Sequence, residues 1–214
     1  MGKLYDSLLS GSSGKIGRLV VANLFGTEIL RKRPRKRTAA PTDKQLLVQQ
    51  RMKRSYDFIL PYKEFAREYF GKRIGMKSPY NQAMTTVINA FKLNFVTMQV
   101  EPAYAEIDFA RGSLMAPLPT GLSSLVANTF KLDWFDNSGG DPVRQTDQLQ
   151  VLFIADDEAK PVLMENMALR PDATVEIPVS AQLSGKTIHV WITFRAADHS
   201  AVANSSYAGT VLIT

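Results

Sequence analysis

Ile188-His189-Val190-Trp191-Ile192-Thr193-Phe194 is the stretch whose reading decides the fold. Ile188, Val190, Ile192 and Phe194 fall at every second position, with His189, Trp191 and Thr193 between them. A period of two places the first set on one face of an extended strand, and its β-branched and aromatic members suit a half-buried pleat. Working outward, the same period recurs at Phe130, Leu132 and Trp134, interleaved with Thr129, Lys131 and Asp133. It recurs again at Val175, Ile177 and Val179, interleaved with Glu176 and Pro178. Shorter apolar runs lie at 107–109, 149–154, 161–164 and 210–213. Turn-forming clusters separate them: Asn137-Ser138-Gly139-Gly140-Asp141-Pro142, Asp156-Asp157-Glu158, Pro171-Asp172 and Ser184-Gly185. About seven short strands at this spacing predict an antiparallel sandwich of immunoglobulin-like type, with a closed barrel as the alternative.

Upstream of about residue 94 the period is helical. Pro41-Thr42-Asp43-Lys44-Gln45 reads as a helix start, with Thr42 as the cap and Gln45 three residues on, as in a capping box. Leu46, Leu47, Met52, Tyr56 and Ile59 follow at mixed steps of three and four, which predicts a helix over about 43–59. Pro61 permits a second start, and Tyr62, Phe65, Ala66 and Tyr69 form an aromatic stripe ahead of Gly71. A third helix is expected at Ser78-Pro79, Ser as cap and Pro in the first turn, carrying Met84, Val87, Ile88 and Phe91. The fold class is therefore α+β: a Gly/Ser and basic arm over 1–40, a helical region over 41–94, and a β-sandwich domain over 95–214.

Charge is divided along the chain. Residues 1–80 hold eighteen of the 26 Lys and Arg and six of the 20 Asp and Glu, a balance of +12, whereas residues 81–214 balance at −6. The steepest point is Arg31-Lys32-Arg33-Pro34-Arg35-Lys36-Arg37, read as an extended linker because Pro34 and Pro41 disfavour helix before them. Clustered cations release condensed counterions when they neutralise phosphates, so this run is the leading candidate for binding nucleic acid or another polyanion. Arg51, Lys53 and Arg54 extend that candidate surface onto the first helix. The alternative partner is an acidic patch on a neighbouring subunit, and a homo-oligomer is expected.

The composition argues against other classes. There is no Cys, hence no disulfide, thiolate metal site or thiol nucleophile. No apolar run approaches the roughly 18–20 residues that span a bilayer, and Leu19 to Phe25 is too short for a secretory signal, so synthesis in the cytoplasm without Sec export is expected, including delivery into a virion or an extracellular assembly. Gly11-Ser12-Ser13-Gly14-Lys15 looks superficially like a phosphate loop, but Leu9 stands where the first Gly belongs and Ile16 where Ser or Thr belongs. His189 and His199 are the two histidines, and neither comes with convergent carboxylates at metal-ligand spacing. Asp156-Asp157-Glu158 reads as a hairpin tip. Asn204-Ser205-Ser206 matches a glycosylation sequon, which carries little without a secretory signal. Tyr62, Tyr69, Phe70 and Tyr80 lie near basic residues, as a base-stacking platform requires, but the helical spacing of the first two points to core. No catalytic residue, metal ligand, cofactor or small-molecule substrate is assigned, and the chain is read as non-enzymatic.

Several short elements together resemble a family of uncharacterised proteins from Bacteroidetes-type bacteria. They are Ser13-Gly14-Lys15-Ile16-Gly17 with Val20, then Ile29 with Arg31, Arg33 and Pro34, then Pro41-Thr42 with Gln45, and finally Ser205-Ser206-Tyr207 with Gly209. The resemblance spans nearly the full length. It implies a bacterial or phage-associated origin and a β-rich C-terminal part, and it supplies no catalytic residue or substrate. The basic run is heavier here than in that family.

Three function classes follow from these residues. The first is a structural or assembly subunit, virion- or filament-like, whose basic arm contacts nucleic acid or a neighbour's acidic patch. The second is a direct DNA- or RNA-binding protein. The third is a sandwich that recognises carbohydrate or a surface partner through exposed aromatics such as Trp134 or Trp191, against which a Trp in a sandwich is more often buried.

Overall fold

The computed structural model describes residues 2–24, 26–35 and 38–214. The chain forms two compact units, Met1–Thr42 with Ile74–Met76, and Asp43–Arg73 with Lys77–Thr214.

The first unit is built on four short antiparallel strands, β1 (Gly2–Leu4), β2 (Gly14–Ile16), β3 (Leu19–Leu24) and β4 (Thr27–Lys32), in the order β1-β4-β3-β2. A two-residue turn, Gly17-Arg18, joins β2 to β3, and Gly17 supplies the positive φ (56°) that such tight hairpins demand. Among its described residues Val21 and Ile29 are buried. The basic run expected as an extended linker over 31–40 begins inside this sheet. Arg31 pairs with Val20 and Lys32 with Leu19, so both belong to β4. Apolar residues on both β3 and β4 align in this register and carry the two cations along with them. Lys36 and Arg37 lie outside the described residues.

The second unit opens with α1 (Asp43–Ile59), a single 3-10 turn over Leu60–Tyr62, α2 (Lys63–Glu68) and α3 (Pro79–Ala90). Ser78 caps α3, its Oγ accepting from the Asn81 N–H at 3.2 Å, with Pro79 in the first turn. A hairpin of β5 (Phe91–Asn94) and β6 (Gln99–Pro102) follows. The remaining elements are β7 (Leu118–Val126), β8 (Thr129–Phe135), the short α4 (Pro142–Gln145), β9 (Gln148–Ala155), β10 (Val162–Met164), β11 (Thr174–Pro178), β12 (Thr187–Arg195) and β13 (Ser206–Leu212).

These seven strands make two antiparallel sheets, β11-β8-β7 and β10-β9-β12-β13. The chain crosses between the sheets from β8 to β9, from β10 to β11 and from β11 to β12, as in the immunoglobulin class, with β10 as the extra edge strand of the four-stranded sheet. The inner faces bury Phe130, Leu132 and Trp134 in one core with Leu149, Val151, Phe153, Val190, Ile192 and Phe194. The sheets are stitched along the β7–β13 side, where Ser206 Oγ donates to Pro117 O (2.8 Å) and the Asn128 N–H to Thr214 O (2.8 Å).

The four-stranded sheet is buried on its other face too. Leu152, Ile154 and Trp191 belong to a second core with Phe58, Tyr62, Phe65, Val87 and Phe91 of the helical region. Trp191 meets Phe58 edge-on at 6.0 Å and donates its indole N–H to Tyr104 O at 3.2 Å. The helices expected over 41–94 and the sandwich expected over 95–214 thus share a core within one unit. An amphipathic helix cannot bury its stripe alone, and the end of β9 at Leu152 and Ile154 has no polar face to turn outward.

Candidate polyanion-binding surface

The Gly17-Arg18 turn and the end of β4 lie side by side. Leu19 pairs with Lys32, and beyond the strand the Arg33 N–H donates to Arg18 O at 2.8 Å. Gly17, Arg18, Lys32, Arg33, Pro34 and Arg35 line a shallow hollow of about 440 Å³. Four cations border it and no carboxylate does. Among the described residues none of the four has a hydrogen bond or ion pair from its side chain, and Lys32, Arg33 and Arg35 are exposed. Unneutralised like charges at this spacing hold a positive potential that only an anion relieves. Arg31 alternates with Lys32 and so faces the other side of the sheet, where the register places Lys15 and Lys3 on the same side.

The helical cations are placed differently. Arg51 is half-buried and Lys53 exposed on α1, both in the second unit and both without an ion pair among the described residues. Arg54, expected beside them as a polyanion contact, is used by the fold. Its Nη1 donates to Val100 O at 2.9 Å, and the guanidinium sits 5.8 Å from the ring centre of Phe91, tying α1 to β5 and β6. Arg18 was missed by sequence reasoning. The signal was there, a Gly-Arg pair between two short apolar segments, which is a two-residue hairpin turn.

The other candidates have work inside the fold. His189 lies on the Trp191 face of β12, its Nε2 2.6 Å from Asp156 Oδ1 and its Nδ1 2.7 Å from Tyr207 Oη. Both ring nitrogens are engaged. Burial, then the nearby Asp156 carboxylate, pushes the Tyr207 phenol up, so it stays protonated as a partner. Asp157 and Glu158 point to Lys186 at 2.9 and 3.8 Å, so the three carboxylates of the β9–β10 turn diverge and do not surround one point. Gly14 and Lys15, which open the phosphate-loop lookalike's tail, form β2. Asn204 Oδ1 accepts from the Gly112 N–H at 3.0 Å. Tyr62, Tyr69 and Phe70 are core residues, and Tyr80 is half-buried against the same core. Trp134 and Trp191 are 2% and 0% exposed, which removes both aromatics from the carbohydrate reading.

The fold and surface define a helix-backed immunoglobulin-like sandwich preceded by a small cationic sheet. The chain belongs to a family of unknown function, DUF6266, whose model matches residues 11–209. Among solved structures it is similar to the solution structure of the fn3 domain of human collagen alpha-1(XX) chain, at 15% identity and a TM-score of 0.32 over 49% of this chain and 85% of that one. It is also similar to the fn3 domain of human contactin 1, at 10% identity and a TM-score of 0.32 over 48% of this chain and 82% of that one. No curated protein matches the chain. The sandwich assignment rests on the strand order described above.

Proposed function

We propose that this chain is a non-enzymatic structural or assembly subunit whose cationic N-terminal sheet grips a polyanion. The observation that carries the reading is the hollow bordered by Arg18, Lys32, Arg33 and Arg35 with no carboxylate on its rim. A phosphate backbone is the first fit, because closely spaced cations on an exposed surface gain affinity by counterion release without reading sequence. An acidic patch on a neighbouring copy is the second, supported by the charge division. Met1–Thr42 with Ile74–Met76 carries nine Lys and Arg against two Asp and Glu, a balance of +7, while residues 118–214 carry six against eleven, a balance of −5.

The test is a mobility-shift titration with single- and double-stranded nucleic acid across salt, paired with light scattering on nuclease-treated protein. Direct binding to phosphates gives a steep negative slope of log affinity against log salt. Replacing Arg18, Lys32, Arg33 and Arg35 with Gln makes that slope shallower by about 0.7–0.9 for each phosphate left unneutralised. Loss of oligomers on the same substitution, with no shift in the wild type, favours the neighbour's acidic patch. A wild-type protein that neither shifts nucleic acid nor self-associates at low salt overturns the proposal.

A further inference from the structure

We infer that β2 of one copy adds as an antiparallel strand to the β11 edge of a second copy, with Lys15 opposite Glu176, linking copies head to tail. This inference rests on the assembly part of the proposed function and uses residues outside the basic hollow.

β2 is the terminal strand of its sheet, and its three residues are all exposed, including Ile16. It pairs only with β3, so the row of N–H and C=O groups on its other side is a template for a further strand. The strand at the opposite edge, β1, also carries a lysine at its centre, Lys3. A two-fold pairing of β2 with β2 sets Lys15 against Lys15, and β2 with β1 sets it against Lys3. Like charges directly opposite are destabilising, so these edges reject each other and accept a strand with a carboxylate at its centre.

Among the described edge strands β11 fits. It reads Thr174-Val175-Glu176-Ile177-Pro178, it lies at the edge of β11-β8-β7, and it pairs only with β8. Glu176 is exposed and makes no hydrogen bond or ion pair among the described residues, and Lys131 across from it on β8 turns to Asp133 at 3.4 Å. The other carboxylate on a peripheral strand, Glu101 of β6, already accepts from Asn94 at 2.7 Å. β7, β10 and β13 contain no acidic residue. With Lys15 opposite Glu176, Gly14 meets Ile177 and Ile16 meets Val175. Pro178, which has no N–H to give, then falls opposite Ser13, beyond the three pairs of β2. Each copy offers one β2 and one β11, so the contact is heterologous and builds a ring or an open row.

Charge exchange tests this on the full chain after nuclease treatment, by sedimentation across protein concentration at low salt. Lys15→Glu and Glu176→Lys, both at exposed positions, should each weaken self-association about 3- to 10-fold, the span expected when one cross-strand charge pair turns from attraction to repulsion. The double variant should recover wild-type association. So should an equimolar mixture of the two single variants, because each then offers the complement of the other's strand. Single variants that associate like the wild type, a double variant that stays as weak as the singles, or a wild type that is monomeric throughout overturns the inference. A parallel mobility shift keeps the two ideas apart: the Gln variant of the hollow should lose nucleic acid yet still assemble, and the charge-exchange variants should assemble differently yet still bind it.

Discussion

Arg170 and Asp147 form an ion pair out of solvent, with Nη2 2.7 Å and Nε 3.1 Å from Asp147 Oδ2 and side chains 0% and 3% exposed. The guanidinium also donates to Asn137 Oδ1 and to Met115 O, and it stacks 4.0 Å from the ring centre of Phe194. One side chain thus gathers the segment before β7, the loop after β8, the start of β9 and the face of β12. Removing one member strands the other's charge in the interior. Asp147→Ala should cost about 3–5 kcal/mol in urea unfolding. Replacing both members with apolar residues of similar volume should cost less than that single change, because no charge is then left unpaired.

Trp191 fixes the helices to the sandwich through Phe58 and Tyr104. Trp191→Ala should destabilise by about 3–5 kcal/mol. Since the helical and sheet residues share that core, helix content by circular dichroism and Trp134 fluorescence should report one coincident transition in the variant, as in the wild type. Two separated transitions count against the shared core.

Tyr62 is buried with its hydroxyl unpartnered among the described residues, and burial pushes the phenol far above its usual range. A buried hydroxyl without a bond carries a desolvation cost and returns nothing. Tyr62→Phe should therefore leave stability unchanged or raise it by up to about 1 kcal/mol, read from the urea midpoint.

Lys186 and Asp157 define the expected pH behaviour of the β9–β10 turn. The hydrogen bond from Lys186 holds the Asp157 carboxyl below its usual value, and the same bond raises the Lys186 ammonium. The carboxyl's contribution is present above the unfolded value near 3.8 and is lost as pH falls through the lower folded value. The ammonium's contribution is present below 10.5 and is lost as pH rises through the higher folded value. Lys186→Gln should flatten both limbs of urea midpoint against pH, and an unchanged profile refutes the pairing. Asp136 and Asp198, each lowered by hydrogen bonds from a nearby serine, keep part of the acid limb in the variant.

The strands and helices were legible where a period was strong. The alternation at 188–194 and 130–134 located β12 and β8, and the Pro41 and Ser78-Pro79 signals located α1 and α3. The N-terminal sheet reads along the sequence mainly as an arm because its strands are three to six residues long, too short for a period to emerge. The packing of helices onto the sheet was hidden for another reason. Leu152, Ile154 and Trp191 look, along the chain, like the inward residues beside them, and only the fold shows which face each takes. Of the candidate surface, Lys32, Arg33 and Arg35 stand out by charge density alone, whereas Arg31 of the same run faces the other side of the sheet. Nothing local reveals that the helical Arg54 reaches Val100 O, 46 residues away.

The two-sided burial of the β9–β12 pair has a practical consequence for anyone dissecting this molecule. A fragment trimmed to the sandwich alone, from about residue 95 onward, would strip Phe58, Tyr62, Phe65, Val87 and Phe91 from the core that Trp191, Leu152 and Ile154 share, leave an oily wall open to water and should precipitate. The smallest soluble piece starts instead near Asp43, where the polypeptide first brings its own lid.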